Sequence, residues 1–158
     1  FNDSEGVLFA EIFIEENIES NVNISISAGV HQENLLKFIY VVGENAFKCE
    51  LFNPSQVQTV INYLNYSLGV FNKVLLSYNS SNLKLYINGF EINSVSVNGL
   101  PTGLSELNFD RADGTAPFYG KTKQLMTFKT ALTDSELETL TSWDSFNAMA
   151  KGQLYSIE

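Results

Sequence analysis

The dipeptide Asn88-Gly89 constrains this chain more than any other single feature. It separates Leu83-Lys84-Leu85-Tyr86-Ile87 from a second run of strand composition, Phe90 to Val97. Asn and Gly both tolerate positive φ, which the two central residues of a type I′ turn require. An antiparallel hairpin is therefore predicted over these residues. Much of the chain before it carries the same kind of signal. Gly6 to Ile14 is apolar on both faces, as a central strand would be. Asn23-Ile24-Ser25-Ile26-Ser27 alternates, which predicts one wet and one dry face. Leu35–Val42 and Ala46–Leu51 read as a pair joined across Gly43-Glu44-Asn45, and Asn72–Tyr78 turns through Asn79-Ser80-Ser81-Asn82 into Leu83.

Residues 56–66 admit two readings. Val57, Val60, Ile61 and Leu64 fit a helical stripe, with Asn53 as cap and Pro54 in the first turn. The same segment holds β-branched and aromatic residues at strand density, and its strand neighbours favour a strand. Lys121 to Phe128 is the last long strand. Thr133-Asp134-Ser135-Glu136 then forms a capping box ahead of a short helix whose apolar stripe is Leu132, Leu137 and Leu140. A second short helix is expected over Trp143–Ala150, with Phe146, Met149 and Ala150 on one side and Gly152 as its stop. Trp143 is expected to pack these helices onto the strands. The fold class predicted is all-β: a two-sheet antiparallel β-sandwich with short C-terminal helices, residues 1–130 forming the sandwich and 131–158 the helices and tail of one domain.

Charge narrows the function. Eighteen acidic residues against nine basic ones give a net charge of −9. That balance argues against a nucleic-acid partner, whose phosphates are met by Lys and Arg, and against a polybasic membrane contact. No run approaches the roughly 18 apolar residues of a membrane span. The chain starts at Phe1 without a Met or a leader pattern and is read as part of a longer product. Cys49 is the sole cysteine, so an intrachain disulfide is excluded, and Phe47 and Leu51 on its strand face predict a buried, inert thiol. His31 is the sole histidine and falls in a loop of polar composition. One His and one Cys make no zinc set, and neither a nucleophile elbow nor a phosphate-binding glycine loop is present.

The run Asn72–Tyr78 followed by Leu85-Tyr86-Ile87-Asn88-Gly89 resembles the strand and hairpin of concanavalin A-like, laminin-G-like jelly rolls. Phe118–Leu125 followed by Ala131–Leu137 is similar to that family's closing strand and short helix. Leu104–Gly114 and Ser145–Ala150 further resemble C-terminal domains of bacteriophage tail-fibre and other virion structural proteins. The resemblance implies an extracellular virion-surface module, usually a homotrimer, that contacts host glycans, a host surface receptor or other virion proteins.

The same jelly roll hosts glucanases, which the resemblance makes the relevant enzyme class. Their signature places a Glu, an Asp two positions later and a second Glu on one strand. Here Glu11 and Glu15 stand four apart with Phe13 where the Asp belongs. Four positions span roughly 13 Å of strand, against carboxyl separations of about 5–5.5 Å in retaining and about 6.5–9.5 Å in inverting glycosidases. No catalytic residue is expected, and the chain is read as a non-enzyme.

The most informative stretch for binding is 108–119. If it contacts sugar, Asn108, Asp110 and Asp113 would meet hydroxyls, Arg111 would join them as a ligand-binding residue, and Tyr119 or Phe118 would stack on a pyranose face. Laminin-G-like domains often hold calcium at the sandwich rim, and Asp110 and Asp113 are the candidate ligands here. The competing reading is a turn closed by local hydrogen bonds, with Tyr119 in the core. No cofactor is required, calcium being the one ion to consider. The expectation is a non-catalytic recognition module, with a purely architectural fibre domain and a carbohydrate-binding module of a secreted enzyme as alternatives.

Overall fold

The computed structural model describes residues 1–29, 33–55 and 58–142. Ten strands form two antiparallel sheets: β1 Gly6–Ile14, β2 Val22–Ser27, β3 Leu35–Val41, β4 Ala46–Phe52, β5 Gln58–Tyr63, β6 Phe71–Tyr78, β7 Asn82–Ile87, β8 Phe90–Ser96, β9 Glu106–Asn108 and β10 Gly120–Phe128. Helix α1, Asp134–Ser142, follows the last strand. The first sheet runs β10-β1-β6-β7-β8 and the second β5-β4-β3-β2-β9. The predicted sandwich is present. His31 and the helix expected over Trp143–Ala150 lie outside the described residues.

Alternation builds the core. Leu8, Ala10, Ile12 and Ile14 of β1 face Ile24 and Ile26 of β2, Leu36 and Phe38 of β3 and Cys49 and Leu51 of β4, all buried in one cluster with Val74, Leu76 and Leu85. Each such Leu, Ile or Phe contributes roughly 1.5–3 kcal/mol through burial. Phe47 stacks on Tyr66 at 4.5 Å, closing one end of this layer. The Cys49 thiol is fully buried, and burial, seconded by the neighbouring Glu50 charge, pushes its pKa well up, so it is inert.

The hairpin predicted at Asn88-Gly89 is observed, with φ of 50° and 89°. Asn88 also ties the turn to β6, its Oδ1 accepting from the Lys73 amide at 2.9 Å. Residues 58–63 form a strand, as the flanking strands predicted. The capping box is made as expected: Thr133 N–H donates to Glu136 Oε2 at 2.8 Å, and the Glu136 amide reaches Thr133 Oγ1 at 3.4 Å.

One expectation is corrected. The polar side of β2 was predicted to be wet, yet all six of its residues are buried. Ser25 Oγ donates to the Asp110 carbonyl and Asn23 Nδ2 to the Ala116 carbonyl, both at 3.0 Å. The segment between β9 and β10 lies over this flank, so polar alternation here marks a surface that binds main chain. Alternation alone cannot distinguish the two, because a polar side chain suits either partner.

Candidate functional site: a polar groove on the second sheet

Outward-facing residues of β2, β3 and β4 line a groove of about 330 Å³. Its floor follows from strand register. Lys37 on β3 stands directly opposite Glu50 on β4. The two form an ion pair at 2.9 Å, with side chains only 5% and 10% exposed. The Lys37 ammonium also sits 5.5 Å from the centre of the Phe52 ring. Ile39 and Lys48 are the next pair along the same face, and Lys48 is held by Glu44 of the short 3-10 turn at 2.7 Å. A second turn restraint comes from Asn21, whose Oδ1 accepts from the Val42 amide at 3.0 Å.

The covering loop supplies the other wall. Phe118 N–H donates to the Phe109 carbonyl at 2.8 Å and Arg111 N–H to the Thr115 carbonyl at 3.0 Å, so the loop is closed at two levels. Phe109 and Phe118 pack with ring centres 6.1 Å apart. This brings Arg111 and Ala116 to the groove edge. Beneath the loop, Asn23 Oδ1 is buried without a hydrogen-bond partner among the described residues. Three of the nine basic residues therefore border one groove, against the two carboxylates Glu44 and Glu50. In a chain of net charge −9 this is a local reversal of sign.

A buried cation and carboxylate side by side offer adjacent donors and acceptors, fixed before any ligand arrives. Such a pair suits vicinal hydroxyls, and partial exclusion of water strengthens each hydrogen bond made there. The carboxylates tested for glycoside hydrolysis are engaged separately: Glu11 pairs with Lys123 at 2.9 Å on the other sheet, and Glu15 lies 3.8 Å from Lys121.

The residues singled out in the sequence are distributed rather than gathered. Arg111 borders the groove. Asn108 Nδ2 donates to Ser27 Oγ at 3.3 Å on the edge of the sheet. Asp110 Oδ1 accepts from the Ala112 amide at 2.6 Å, and Asp113 Oδ1 from the Thr115 amide at 2.9 Å and hydroxyl at 2.6 Å. Both carboxylates thus close local turns, and among the described residues no group of three or more His, Cys, Asp or Glu is placed to hold a metal ion. Tyr119 is 65% exposed and lines a different cleft, with residues of the β1–β2 loop.

Sequence reasoning missed Asn23, Lys37, Lys48 and Glu50. A signal existed. Lys37 interrupts Leu35-Leu36-Lys37-Phe38-Ile39, and Lys48 and Glu50 flank Cys49 within another apolar strand. Charges set into the middle of two strands predicted to pair are expensive unless they meet.

Comparison with known proteins agrees with this architecture. None of the curated proteins compared matches the sequence. Among solved structures, the Ruminococcus gnavus IT-sialidase CBM40 bound to alpha2,3 sialyllactose superposes with a TM-score of 0.73 at 18% identity, covering 90% of this chain and 84% of that one. A leech intramolecular trans-sialidase superposes with a TM-score of 0.72 at 16% identity over 92% of this chain but only 24% of its own. The botulinum neurotoxin serotype D/C binding domain gives 0.62 at 17% identity, covering 93% and 37%. At these identities the likeness establishes the fold. Residues 12–138, most of the chain, match the model of the Laminin_G_3 family, and the chain accordingly belongs to the concanavalin A-like lectin/glucanases superfamily.

Proposed function

We propose that the chain is a non-catalytic glycan-binding module whose site is the groove on the second sheet. The observation that carries this reading is the buried Lys37–Glu50 pair on an otherwise open sheet face. Nothing in the fold's own packing requires it, since the residues opposite each other could as well be apolar. Bordered by Lys48 and Arg111, it suits a hydroxyl-rich ligand bearing a negative group. One relative of this fold, the Ruminococcus gnavus IT-sialidase CBM40, is bound to sialyllactose in two solved structures, which supports an acidic sugar as the terminal unit. The leech enzyme, where the likeness covers 24% of the chain, supports a module carried by a larger protein. The trimeric virion-surface setting expected from the tail-fibre resemblance draws no support from these relatives, and the proposal is confined to glycan recognition.

The test is calorimetric titration with sialylated and neutral oligosaccharides, using wild type and the double variant Lys37→Met/Glu50→Leu. Removing both charges together avoids stranding one of them. Wild type is expected to bind the sialylated sugars and release no reducing ends from them, while the folded double variant loses binding at least tenfold. Absence of binding to every glycan, or equal binding by the double variant, overturns the proposal in favour of an architectural domain.

A further inference from the structure

We infer that the groove is one half of an extended site, and that the cleft beside Tyr119 receives the second, uncharged sugar of a bound oligosaccharide. The inference rests on the glycan reading above. The cleft holds about 330 Å³ and is lined by Glu15, Asn17, Ile18, Glu19, Ser20 and Tyr119. It adjoins the groove along two stretches of chain. Ser20 lines the cleft and its neighbour Asn21 lines the groove. Ala116 borders the groove, and Tyr119, three residues on in the same loop, borders the cleft. The two depressions share no lining residue, and it is chain continuity at residues 20–21 and 116–119 that links them.

The lining chemistry divides between them. The groove is lined by Lys37, Lys48 and Arg111, whereas the described lining of the cleft has Glu15 and Glu19, with Lys121 outside that lining 3.8 Å from Glu15. An anionic unit is favoured in the first over the second. A neutral hexose fits the cleft: its hydroxyls donate to the carboxylates and to Asn17, and its apolar ring face lies on an aromatic side chain.

Tyr119 is held to serve as that wall. Gly120 begins β10 opposite Ile14 of β1. A Cβ at Gly120 would come within 2.1 Å of the Phe13 carbonyl oxygen and 3.0 Å of the Phe118 ring, so only glycine permits this approach. The close contact fixes the residue before it beside the end of β1, where Glu15 lies. Phe118 on its other side is anchored on Phe109. Tyr119 itself remains 65% exposed, which leaves its ring open to a ligand.

The experiment compares free sialic acid with sialyllactose on wild type, Tyr119→Ala, Tyr119→Phe and the groove variant Lys37→Met/Glu50→Leu. Wild type is expected to bind the trisaccharide about tenfold or more tighter than the monosaccharide, a gain the size of one good contact. Tyr119→Ala should erase that gain while leaving monosaccharide affinity and melting temperature unchanged, and Tyr119→Phe should retain it. The groove variant should lose both ligands. If Tyr119→Ala keeps the wild-type preference while the groove variant loses both ligands, the second subsite is overturned and the glycan reading stands. If wild type binds neither sugar, both fall together.

Discussion

The two outer faces of this sandwich are built from the same kind of strand and end in opposite states. On the first sheet, the outward residues Val7 and Phe9 of β1, Leu75 of β6 and Tyr86 of β7 are apolar or aromatic. Helix α1 covers them with Leu137, assisted by Leu140 and by Leu132 ahead of the helix. On the second sheet the outward positions include Asn23, Ser25, Lys37 and Glu50 beside the apolar Ile39 and Phe52, and the element that approaches them is a loop meeting Asn23 and Ser25 through main-chain carbonyls. Apolar faces are closed by apolar helices because only area removal is rewarded there. Polar faces are closed only where every donor finds an acceptor, and the remainder stays open as a groove. The difference teaches that the alternate residue of each strand decides which face is sealed by packing and which one is left as a polar groove.

The largest expected effect comes from unbalancing the polar face. Glu50→Ala leaves the Lys37 ammonium buried without its partner and should cost about 3–5 kcal/mol in denaturant unfolding. The double variant Lys37→Met/Glu50→Leu should recover most of that loss. A single variant as stable as wild type would show that the groove is wetter than the structure indicates.

The apolar face should respond next. Leu137→Ala removes the one fully buried side chain that α1 places against Val7, Phe9 and Leu75, and about 3 kcal/mol of stability should go with it. Glycan affinity should be untouched, because the helix and the groove occupy opposite outer faces. A parallel loss of binding in the folded variant would break the division of labour between them.

The smallest effect concerns how the helix is fastened. Hydrogen bonds from the Thr133 hydroxyl and amide hold the Glu136 carboxyl below the usual carboxylate range. The Lys84 ammonium beside Asp134, first by hydrogen bonding, lowers that carboxyl too. Depressed folded-state values mean stability that is present above the unfolded pKa and is lost as pH falls through the folded one. Helix retention should therefore weaken below about pH 4. The melting-temperature gap between wild type and Glu136→Gln, measured at pH 6 and again at pH 3, should close at the lower value. A constant gap would show that the cap works through shape rather than charge.

Much of the fold was legible. Asn88-Gly89, the capping box at Thr133 and the apolar runs of β1, β3 and β6 each rest on local chemistry, and each formed as expected. The candidate site was less legible. Asn108, Asp110 and Asp113 have the composition of ligands, clustered acidic and amide residues in a loop. Asp110 and Asp113 instead satisfy amides two residues away, a use that the same composition predicts equally well. Arg111 and Tyr119 come from that stretch and do line depressions, but different ones.

The sequence by itself determined which segments become strands, where the tight turn and the helix start fall, and which side chains alternate into the core, since all of these follow from φ preference and a two-residue period. Only the tertiary structure decided that Lys37 meets Glu50, that the loop after β9 folds across β2, and that Tyr119 lines a cleft with the β1–β2 loop. Those outcomes depend on strand register and on contacts between residues as much as 93 positions apart. No local propensity encodes such distances; they are fixed when two buried charges or an unsatisfied amide must find one another as the sheets close.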